Sequence, residues 1–240
     1  MQKSFSDTEI NSSSSTLHRS RSAERVLQLL DTVISGGAVS LTDAANEANL
    51  PASTALRHLR VLTDGGYLIK DDHARYSVGP TFIRIALAAF QSGPYARLTA
   101  AAQPELEALS RVTEESTYLA VRDGTEAVYI ATVESSRAIR HVGWVGRSVP
   151  IEGTAVGEAL LSRGGAGLVD SAFHNIGAIE SDVAAVVAPV HGPSGVVAAL
   201  SILGPAERLT GGRLDVASQA VVRAAEATSL ALRSTEPAEQ

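Results

Sequence analysis

The chain of 240 residues contains no cysteine, and only 4% of its residues are aromatic. The absence of cysteine excludes disulfides, thiolate zinc sites and a cysteine nucleophile, and it fits a reducing compartment. No run of about 18 apolar residues is present, so no membrane span is expected. The Ser-rich N-terminus has no apolar segment of the kind that secretory signals carry, and we therefore expect a cytoplasmic protein.

The familiar motifs of catalysis and nucleotide binding are also missing. The sequence has no G-x-S-x-G, no P-loop, no H-E-x-x-H and no G-x-G-x-x-G. The six histidines show no metal-ligand spacing with one another. We therefore predict no catalytic residue, no cofactor and no metal site. Hydrophobic residues make up 45% of the chain, which is enough for a sizeable aliphatic core in one large or two modest domains.

Net charge gives no sign of a basic domain. The formal charge is −6, with eight Lys or Arg against nine Asp or Glu over 1–80 and twelve against seventeen over 81–240. A protein of this balance that binds DNA must concentrate its positive charge locally.

The first part of the chain predicts two helices after a tail. Residues 1–18 are polar and Ser-rich without a hydrophobic period, which predicts a disordered tail. A 3.6-residue apolar period predicts a first helix from about Ser22 to the "SGG" at 35–37. Ser40 followed three residues later by Asp43 predicts the capped start of a short second helix.

A third helix and a hairpin complete this region. Leucines at every third position predict a helix over 52–63. Two β-type runs, Tyr67–Lys70 and Arg75–Val78, flank a polar turn and predict a hairpin. Three helices followed by a hairpin are typical of a winged helix-turn-helix, which we predict for 19–80. The very apolar stretch within 81–94 predicts a linker helix that packs between domains or between subunits.

The pattern of the remaining region, 95–234, predicts an α+β domain. Its Asp-Gly dipeptide is a strong hairpin signal, and its β-branched runs around "HGPSG" predict paired strands. The predicted elements are a helix over 97–112, strands near 116–122, 126–133 and 138–142, a helix over 154–162, the two strands around "HGPSG" and a helix over 211–233.

The exposed face of the third helix suits a DNA groove. No carboxylate lies between Pro51 and Thr63. Arg can donate two hydrogen bonds to guanine, and Ser or Thr can reach phosphates or bases. Such a face on an isolated helix is most often only solvated, but the three helices and hairpin around it favour DNA contact. The predicted DNA-binding residues are Ser53, Thr54 and Arg57 opposite the core, Arg60 nearer the edge, His58 at the boundary and, outside this helix, Arg19, Arg21, Thr42 and Arg75.

Long stretches of both regions resemble one known family. "SAERVLQLLD", "SLTDAANEANLPASTALRHLRVLTDGGYL" and "RYSVGPTF" are similar to the DNA-binding domain of IclR-type transcriptional regulators. "GRSVPIEGTAVGEALLS" and "VAAVVAPVHGPSGVVAALSILGPAERLT" are similar to the effector-binding domain of the same family. The resemblance implies an N-terminal winged helix-turn-helix, a linker helix and a C-terminal GAF-like domain. It also implies a homodimer or a dimer of dimers and a small-molecule effector of the organic acid or amino acid class.

The sequence departs from the family pattern at several positions. Ala52 stands where the family often has Lys, which removes one phosphate contact. Glu152 and Glu158 replace the usual His and Lys, and Asp182 stands where Gly is typical. The segment between the short helix and the Ala-Pro-Val strand, 161–183, is much shorter than usual. Whether this shortened segment leaves a functional pocket stays open at this point.

The resemblance places the effector pocket between the sheet and the loop "SVPIEGTAVG". The helix after this loop offers free backbone N–H groups, which suit a carboxylate. Thr154 either caps that helix or touches the ligand, and Trp144 either walls the pocket or only packs. The acidic residues hint at an effector with a cationic or hydroxylated part. The predicted effector-binding residues are Trp144, Ile151, Glu152, Gly153, Thr154, Ala155, Glu180, Asp182, Val183, Ala185 and Ser201.

The sequence thus predicts a ligand-responsive transcriptional regulator that binds a palindromic double-stranded DNA operator as a dimer. The alternative is a small-molecule-binding or protein-interaction module whose winged helix docks a protein. The acidic balance and the missing lysine at Ala52 support that alternative. The identity of the effector, the operator and the sign of regulation do not follow from the sequence.

Overall fold

The computed structural model describes residues 20–162 and 172–234 and divides into two compact units, Met1–Gln91 and Ser92–Gln240. The predicted disordered tail, 1–18, lies outside the described residues. Each unit has its own hydrophobic core. In the described part of the chain, no helix is both long and apolar enough to cross a membrane.

The first unit contains the predicted order of three helices and a hairpin. Its three strands form a small antiparallel sheet in the order β1-β3-β2. The strand β1 was not predicted, because two residues are too few to show a period. The elements are α1 (Arg21–Gly36), β1 (Val39–Ser40), α2 (Leu41–Glu47), α3 (Ala52–Asp64), β2 (Leu68–Lys70), β3 (Arg75–Val78) and α4 (Pro80–Ser92).

Side-chain caps fix where the first two helices begin. The Ser20 hydroxyl accepts a hydrogen bond from the Ala23 N–H at 3.4 Å. The Ser40 hydroxyl accepts from the Asp43 N–H at 3.2 Å and donates to the Asp43 carboxylate at 2.7 Å. The predicted capping at Ser40 is therefore confirmed. These caps satisfy backbone donors that the first turn of a helix leaves without partners.

The second unit is a six-stranded antiparallel sheet covered on both faces. The strand order is β6-β5-β4-β9-β8-β7. Helices α5 and α7 pack on one face, while α6 and the segment before it pack on the other. The elements are α5 (Pro94–Thr113), β4 (Ser116–Asp123), β5 (Glu126–Val133), β6 (Ser148–Pro150), α6 (Ala155–Leu161), β7 (Phe173–Ile176), β8 (Val183–Gly192), β9 (Gly195–Pro205) and α7 (Gly211–Ser234).

The central strands are buried on both faces. Seven of the ten residues of β8 and seven of the eleven residues of β9 are buried, and the two strands pair from Val183 with Pro205 to Gly192 with Gly195. Strands covered on both sides have continuous apolar runs instead of an alternating pattern. This explains the runs "VAAVVAPV" and "GVVAALSIL", and the strands predicted from them are confirmed.

One predicted strand was wrong. Residues 138–142 are irregular, and the strand that pairs with β5 in this region is β6, at 148–150. The backbone of His141 is held by side chains instead of a neighbouring strand, since its carbonyl accepts from Ser116 Oγ at 2.6 Å and from Tyr118 Oη at 3.1 Å. The edge strand β7 was also missed, because its four residues alternate too briefly to be recognised.

A buried ion pair ties the end of α5 to the sheet. Glu115 is 2% exposed, and Arg208 donates to its two carboxylate oxygens at 2.5 and 2.6 Å. Arg208 also donates to the Ile139 carbonyl at 3.0 Å, so one guanidinium joins three parts of the unit. A Cβ at Gly204 would lie 2.5 Å from the Glu115 carboxylate, so glycine provides the room for this pair.

The buried ion pair predicts that Arg208→Ala lowers the free energy of unfolding more than Arg140→Ala does. Arg208→Ala leaves the Glu115 carboxylate buried without a counter-charge. We expect a loss of about 2–4 kcal/mol in the free energy of unfolding, less than for a fully buried pair because the Arg208 side chain keeps 20% of its surface. The control is Arg140→Ala, which removes an exposed pair with Glu134 and should cost under about 1 kcal/mol. Equal losses in urea unfolding would contradict the prediction.

Candidate nucleic-acid interface and ligand cavity

The orientation of α3 is set by the turn before it and by its buried face. The Leu50 N–H donates to the Ala45 carbonyl at 2.8 Å, and Asn49 adopts a left-handed conformation with φ of 50°. A polar residue such as Asn tolerates this conformation better than most. α3 then packs on α1 and α2 through its buried residues, which are Ala55, His58, Leu59 and Leu62.

The buried set turns the exposed face away from the predicted one. On a helical wheel, the mean direction of the four buried residues lies about 50° from the direction that the leucines alone indicate. Arg60 therefore lies near the middle of the exposed face, with Ser53 and Arg57, and all three are exposed. Thr54 is half-buried at the edge. The prediction that Arg60 lies nearer the edge than Thr54 was wrong. The α3 exposed face is defined here as Ser53, Arg57 and Arg60.

His58 belongs to the core and not to the interface. It is 4% exposed, and its Nε2 atom is buried without a hydrogen-bond partner in the structure. Burial lowers the pKa of His58, and the positive charges of Arg57 and Arg25 lower it further. The side chain is therefore a neutral core residue at pH 7. Its inclusion among the DNA-contacting residues is corrected, because a buried ring cannot reach a groove.

The other predicted DNA-contacting residues are spread around this helix. Thr42 is exposed in the first turn of α2, and Arg21 is exposed at the start of α1. Arg75 lies on β3, where its Nε atom is 3.2 Å from the Asp71 carboxylate. An exposed pair of this kind contributes little, so it does not prevent Arg75 from meeting a phosphate. Arg19 lies outside the described residues.

A cavity lies between the sheet of the second unit and α6. The cavity volume is about 30 Å³, and the empty space around it, which includes open solvent, is about 390 Å³. Its wall is mainly apolar, with a few polar groups, which is the usual make-up of small-molecule sites. The lining residues are Tyr129, His141, Trp144, Val149, Thr154, Ala155, Val156, Asn175, Ala178, Ile179, Glu180, Val183, Ala185 and Leu203.

Four rings form a connected cluster at this cavity, and we call it the aromatic cluster: Tyr118, Tyr129, His141 and Trp144. The ring centroids of His141 and Trp144 are 4.6 Å apart, and the other three neighbouring pairs are at 5.4 Å, all edge to face. Edge-to-face pairs at such distances are favourable beyond their buried area. In a chain with so few aromatics, this concentration builds a rigid wall.

Six of the predicted effector-binding residues border the cavity together, and five do not. Ile151 is buried in the core beside it, while Glu152 and Gly153 are exposed on the loop. Asp182 borders a neighbouring hollow, and Ser201 is fully buried beneath the aromatic cluster, paired with Tyr118 and Val187. Those that line the cavity are Trp144, Thr154, Ala155, Glu180, Val183 and Ala185.

Thr154 is occupied by its own helix. Its hydroxyl accepts from the Gly157 N–H at 3.2 Å and donates to the Pro150 carbonyl at 2.8 Å. A Cβ at Gly157 would overlap the Ile151 carbonyl, so glycine lets α6 pack directly against the preceding loop. Thr154 thus acts as an N-cap at the cavity wall. The helix start is therefore a less open seat for a carboxylate than the sequence suggested.

Several cavity residues were not predicted. His141 was missed because its segment was interpreted as a strand, and Asn175 because β7 was not recognised. Tyr129 could have been found, since it lies on a predicted strand in a chain with few aromatics. The face of the sheet on which Tyr129 lies follows only from the pairing of β4 with β5.

Two family models match the chain. The model "IclR helix-turn-helix domain" matches residues 22–72, and "Bacterial transcriptional regulator IclR C-terminal" matches 95–178. The chain belongs to the IclR family of transcriptional regulators. This confirms the resemblance and the α+β fold with an N-terminal helix-turn-helix, and it places the chain among regulators instead of enzymes.

The chain is similar to one named relative over most of that protein's length and to another over little more than half of it. The acetate operon repressor of Salmonella typhimurium is 27% identical over 90% of this chain and 91% of its own. The regulator KipR of Bacillus subtilis is 23% identical, and the chain spans only 57% of its length.

Solved structures show the same fold. An IclR transcriptional regulator from Alicyclobacillus acidocaldarius matches 90% of this chain and 100% of its own, with a TM-score of 0.74 and 21% identity. An IclR homolog from Microbacterium hydrocarbonoxydans, complexed with 4-hydroxybenzoate, matches 89% of this chain and 100% of its own, with a TM-score of 0.72 and 22% identity.

The burial of His58 predicts a loss of stability in acid. Because the folded-state pKa of His58 lies below its ordinary value of about 6.5, the unfolded chain takes up a proton first as pH falls below 6.5. The contribution of His58 to the free energy of unfolding therefore keeps its full value above pH 6.5 and decreases toward lower pH. His58→Leu should reduce the change in the free energy of unfolding between pH 7 and pH 5, as measured by urea unfolding. The exposed His73 provides the control His73→Leu, which should leave the slope unchanged.

Proposed function

We propose that this chain is a ligand-responsive DNA-binding regulator that binds a palindromic operator as a dimer and senses a small molecule in the cavity beside α6. The observation that carries the proposal is the α3 exposed face, which displays two guanidiniums without an ion pair among the described residues, on the third helix of a helix-turn-helix.

The α3 exposed face suits a major groove. Ser53 and Arg57 belong to the N-terminal half of the helix, which lies nearest the bases when such a helix enters the groove. Arg57 and Arg60 are one turn apart, and neither guanidinium forms an ion pair among the described residues. Two arginines free to donate bidentate hydrogen bonds favour guanine contacts. No carboxylate interrupts the helix before Asp64 at its end.

The face of α4 supports a dimer. This helix has no buried residue, although it is strongly apolar. Ile83, Leu87 and Phe90 recur at helical spacing and are 49%, 56% and 47% exposed. A helix that is this apolar is unfavourable in water by itself, and covering it with a second copy would remove that surface. Two copies joined in this way would present two α3 helices to a palindromic site.

The cavity supports a small-molecule effector. It is mostly apolar, with a few converging polar groups, and the aromatic cluster holds one wall rigid. A similar fold, the Microbacterium hydrocarbonoxydans homolog, was crystallised with 4-hydroxybenzoate. A ligand here would change DNA binding only by the difference in its affinity for two arrangements of the protein.

The proposed DNA binding predicts that removing either arginine of the α3 exposed face weakens operator affinity. Arg57→Ala and Arg60→Ala should each weaken specific operator binding by about 1–3 kcal/mol while the fold stays intact. Fluorescence anisotropy with DNA upstream of the gene measures this. Arg122→Ala is the matched control, because Arg122 is exposed on β4 of the second unit.

Salt dependence separates the proposal from the alternative that the winged helix docks a protein. Binding through phosphates weakens steeply as salt rises. If wild-type protein binds no upstream DNA even at low salt, the protein-docking function is favoured. If Arg57→Ala and Arg122→Ala bind equally well, α3 is not the reading helix.

The proposed dimer predicts that a charge placed on α4 weakens self-association. Leu87→Asp places a carboxylate within the apolar face and should weaken self-association by about 2 kcal/mol or more, because the charge would be desolvated without a partner. Sedimentation velocity across a concentration series measures the effect. Ile139→Asp serves as the control, since Ile139 is a 74% exposed aliphatic residue outside α4. A dimer that survives Leu87→Asp unchanged would exclude α4 as the main interface.

A further inference from the structure

We infer that the cavity beside α6 selects a ligand that donates a hydrogen bond to His141 Nε2, either from a hydroxyl or from an ammonium group that also faces the Glu180 carboxylate, and disfavours a carboxylate there. The inference rests on the proposed sensing role of this cavity and names the chemical class of its ligand. It is carried by the hydrogen bonds of His141 and by the charges that border the cavity.

The two contacts of the Tyr118 hydroxyl favour one tautomer of the His141 ring. The Tyr118 hydroxyl donates to the His141 carbonyl at 3.1 Å and lies 2.9 Å from His141 Nδ1. A hydroxyl has one proton, so a hydrogen bond at the second position requires Nδ1–H to donate to the Tyr118 oxygen. The neutral ring then has a bare lone pair on Nε2.

His141 Nε2 borders the cavity as an acceptor without a partner. The residue is 6% exposed, and Nε2 forms no hydrogen bond in the structure. The nearest carboxylate oxygen, Oε2 of Glu180, is 3.9 Å away, which is beyond hydrogen-bond distance. A buried acceptor without a donor is unfavourable. A ligand hydroxyl that donates its one proton to Nε2 would satisfy this acceptor, and an ammonium, with further N–H groups, would reach the Glu180 carboxylate as well.

The charges at the cavity disfavour an anion. Among the described residues that line it, Glu180 is the one ionised side chain, and there is no Lys or Arg. The charged groups around His141 outside the cavity are Arg140, Arg147 and Asp182, in the neighbouring hollow. Burial lowers the pKa of His141, Glu180 opposes this and Arg147 adds to it, so the ring is neutral at pH 7. A carboxylate would therefore face Glu180 and a lone pair.

The rest of the wall defines the body of the ligand. The cavity is also lined by Trp144, Tyr129, Ile179 and Leu203. These side chains suit a compact apolar or aromatic group. The inferred class is thus a small molecule with an apolar body and one donor group at its end.

Four probes of nearly equal size test the class: benzyl alcohol, benzylamine, benzoate and toluene. Dissociation constants come from NMR titration of the full chain at pH 7.5. We expect benzyl alcohol and benzylamine to bind about tenfold or more tightly than benzoate and toluene, the ratio expected when a buried acceptor gains a donor. The His141 Nε2 signal should shift in the direction of an accepted hydrogen bond when benzyl alcohol is added.

Two variants separate the roles of the polar pair. His141→Phe keeps a ring for the contacts with Tyr118 and Trp144 and removes the acceptor, so the advantage of both donor probes should disappear. Glu180→Gln should weaken benzylamine about tenfold and leave benzyl alcohol nearly unchanged, because the lost charge matters only to the ammonium. His174→Phe is the matched control, since His174 is exposed on β7 and outside the cavity. The wild-type Nε2 signal remains informative if His141→Phe does not fold.

Several outcomes would overturn the inference. These are tighter binding of benzoate, equal binding of all four probes, no binding by any of them, or an unchanged preference in a folded His141→Phe. Operator binding and self-association, measured on the same samples without probe, report separately on the proposed function. A chain that binds its operator but prefers benzoate would retain the proposed function and lose this inference.

Discussion

Two-sided burial of β4, β9 and β8 is the constraint on which the second unit depends. An antiparallel sheet can leave one face to water, but here the apolar strands require cover on both. The long helices α5 and α7 cover one face. In the described part of the chain, the other face has less extensive cover, formed by the seven residues of α6 and by irregular segments that carry Trp144 and Glu180. The cavity lies between the sheet and this cover.

The aromatic residues are placed where this incomplete cover needs them. Aliphatic side chains fill the well-packed face, but the thin face needs large, rigid groups to span the distance to the sheet. Tyr118 and Tyr129 stand on the strands, and Trp144 stands on the segment above them. His141 joins them through its ring and its carbonyl. The same contacts that hold the segment down also orient the lone pair that faces the cavity.

The sequence predicted element types and order well, because long periodic segments and capping residues are local signals. α1 to α5, α7 and the strands β8 and β9 follow directly from such signals. The failures concern positions that depend on distant partners. Residues 138–142 look β-branched and extended, yet side chains from β4 decide their path. His58 is buried instead of lying at the boundary, and Arg60 lies near the middle of the exposed face instead of nearer its edge, because the direction of α3 depends on α1 and α2 and not on leucines alone. The cavity required the register of the sheet, which no single segment encodes.

The charge balance shapes how such a protein would bind DNA. With a net charge of −6, the chain has little general attraction to phosphates, and Ala52 offers no charge at the start of α3. One α3 exposed face supplies two arginines, which is a modest set for a stable complex on its own. Linking two such faces makes the second contact intramolecular and raises the effective affinity without new residues. In the proposed dimer, the apolar face of α4 would be as important to recognition as the arginines, because weak non-specific affinity would leave specificity to paired half-sites.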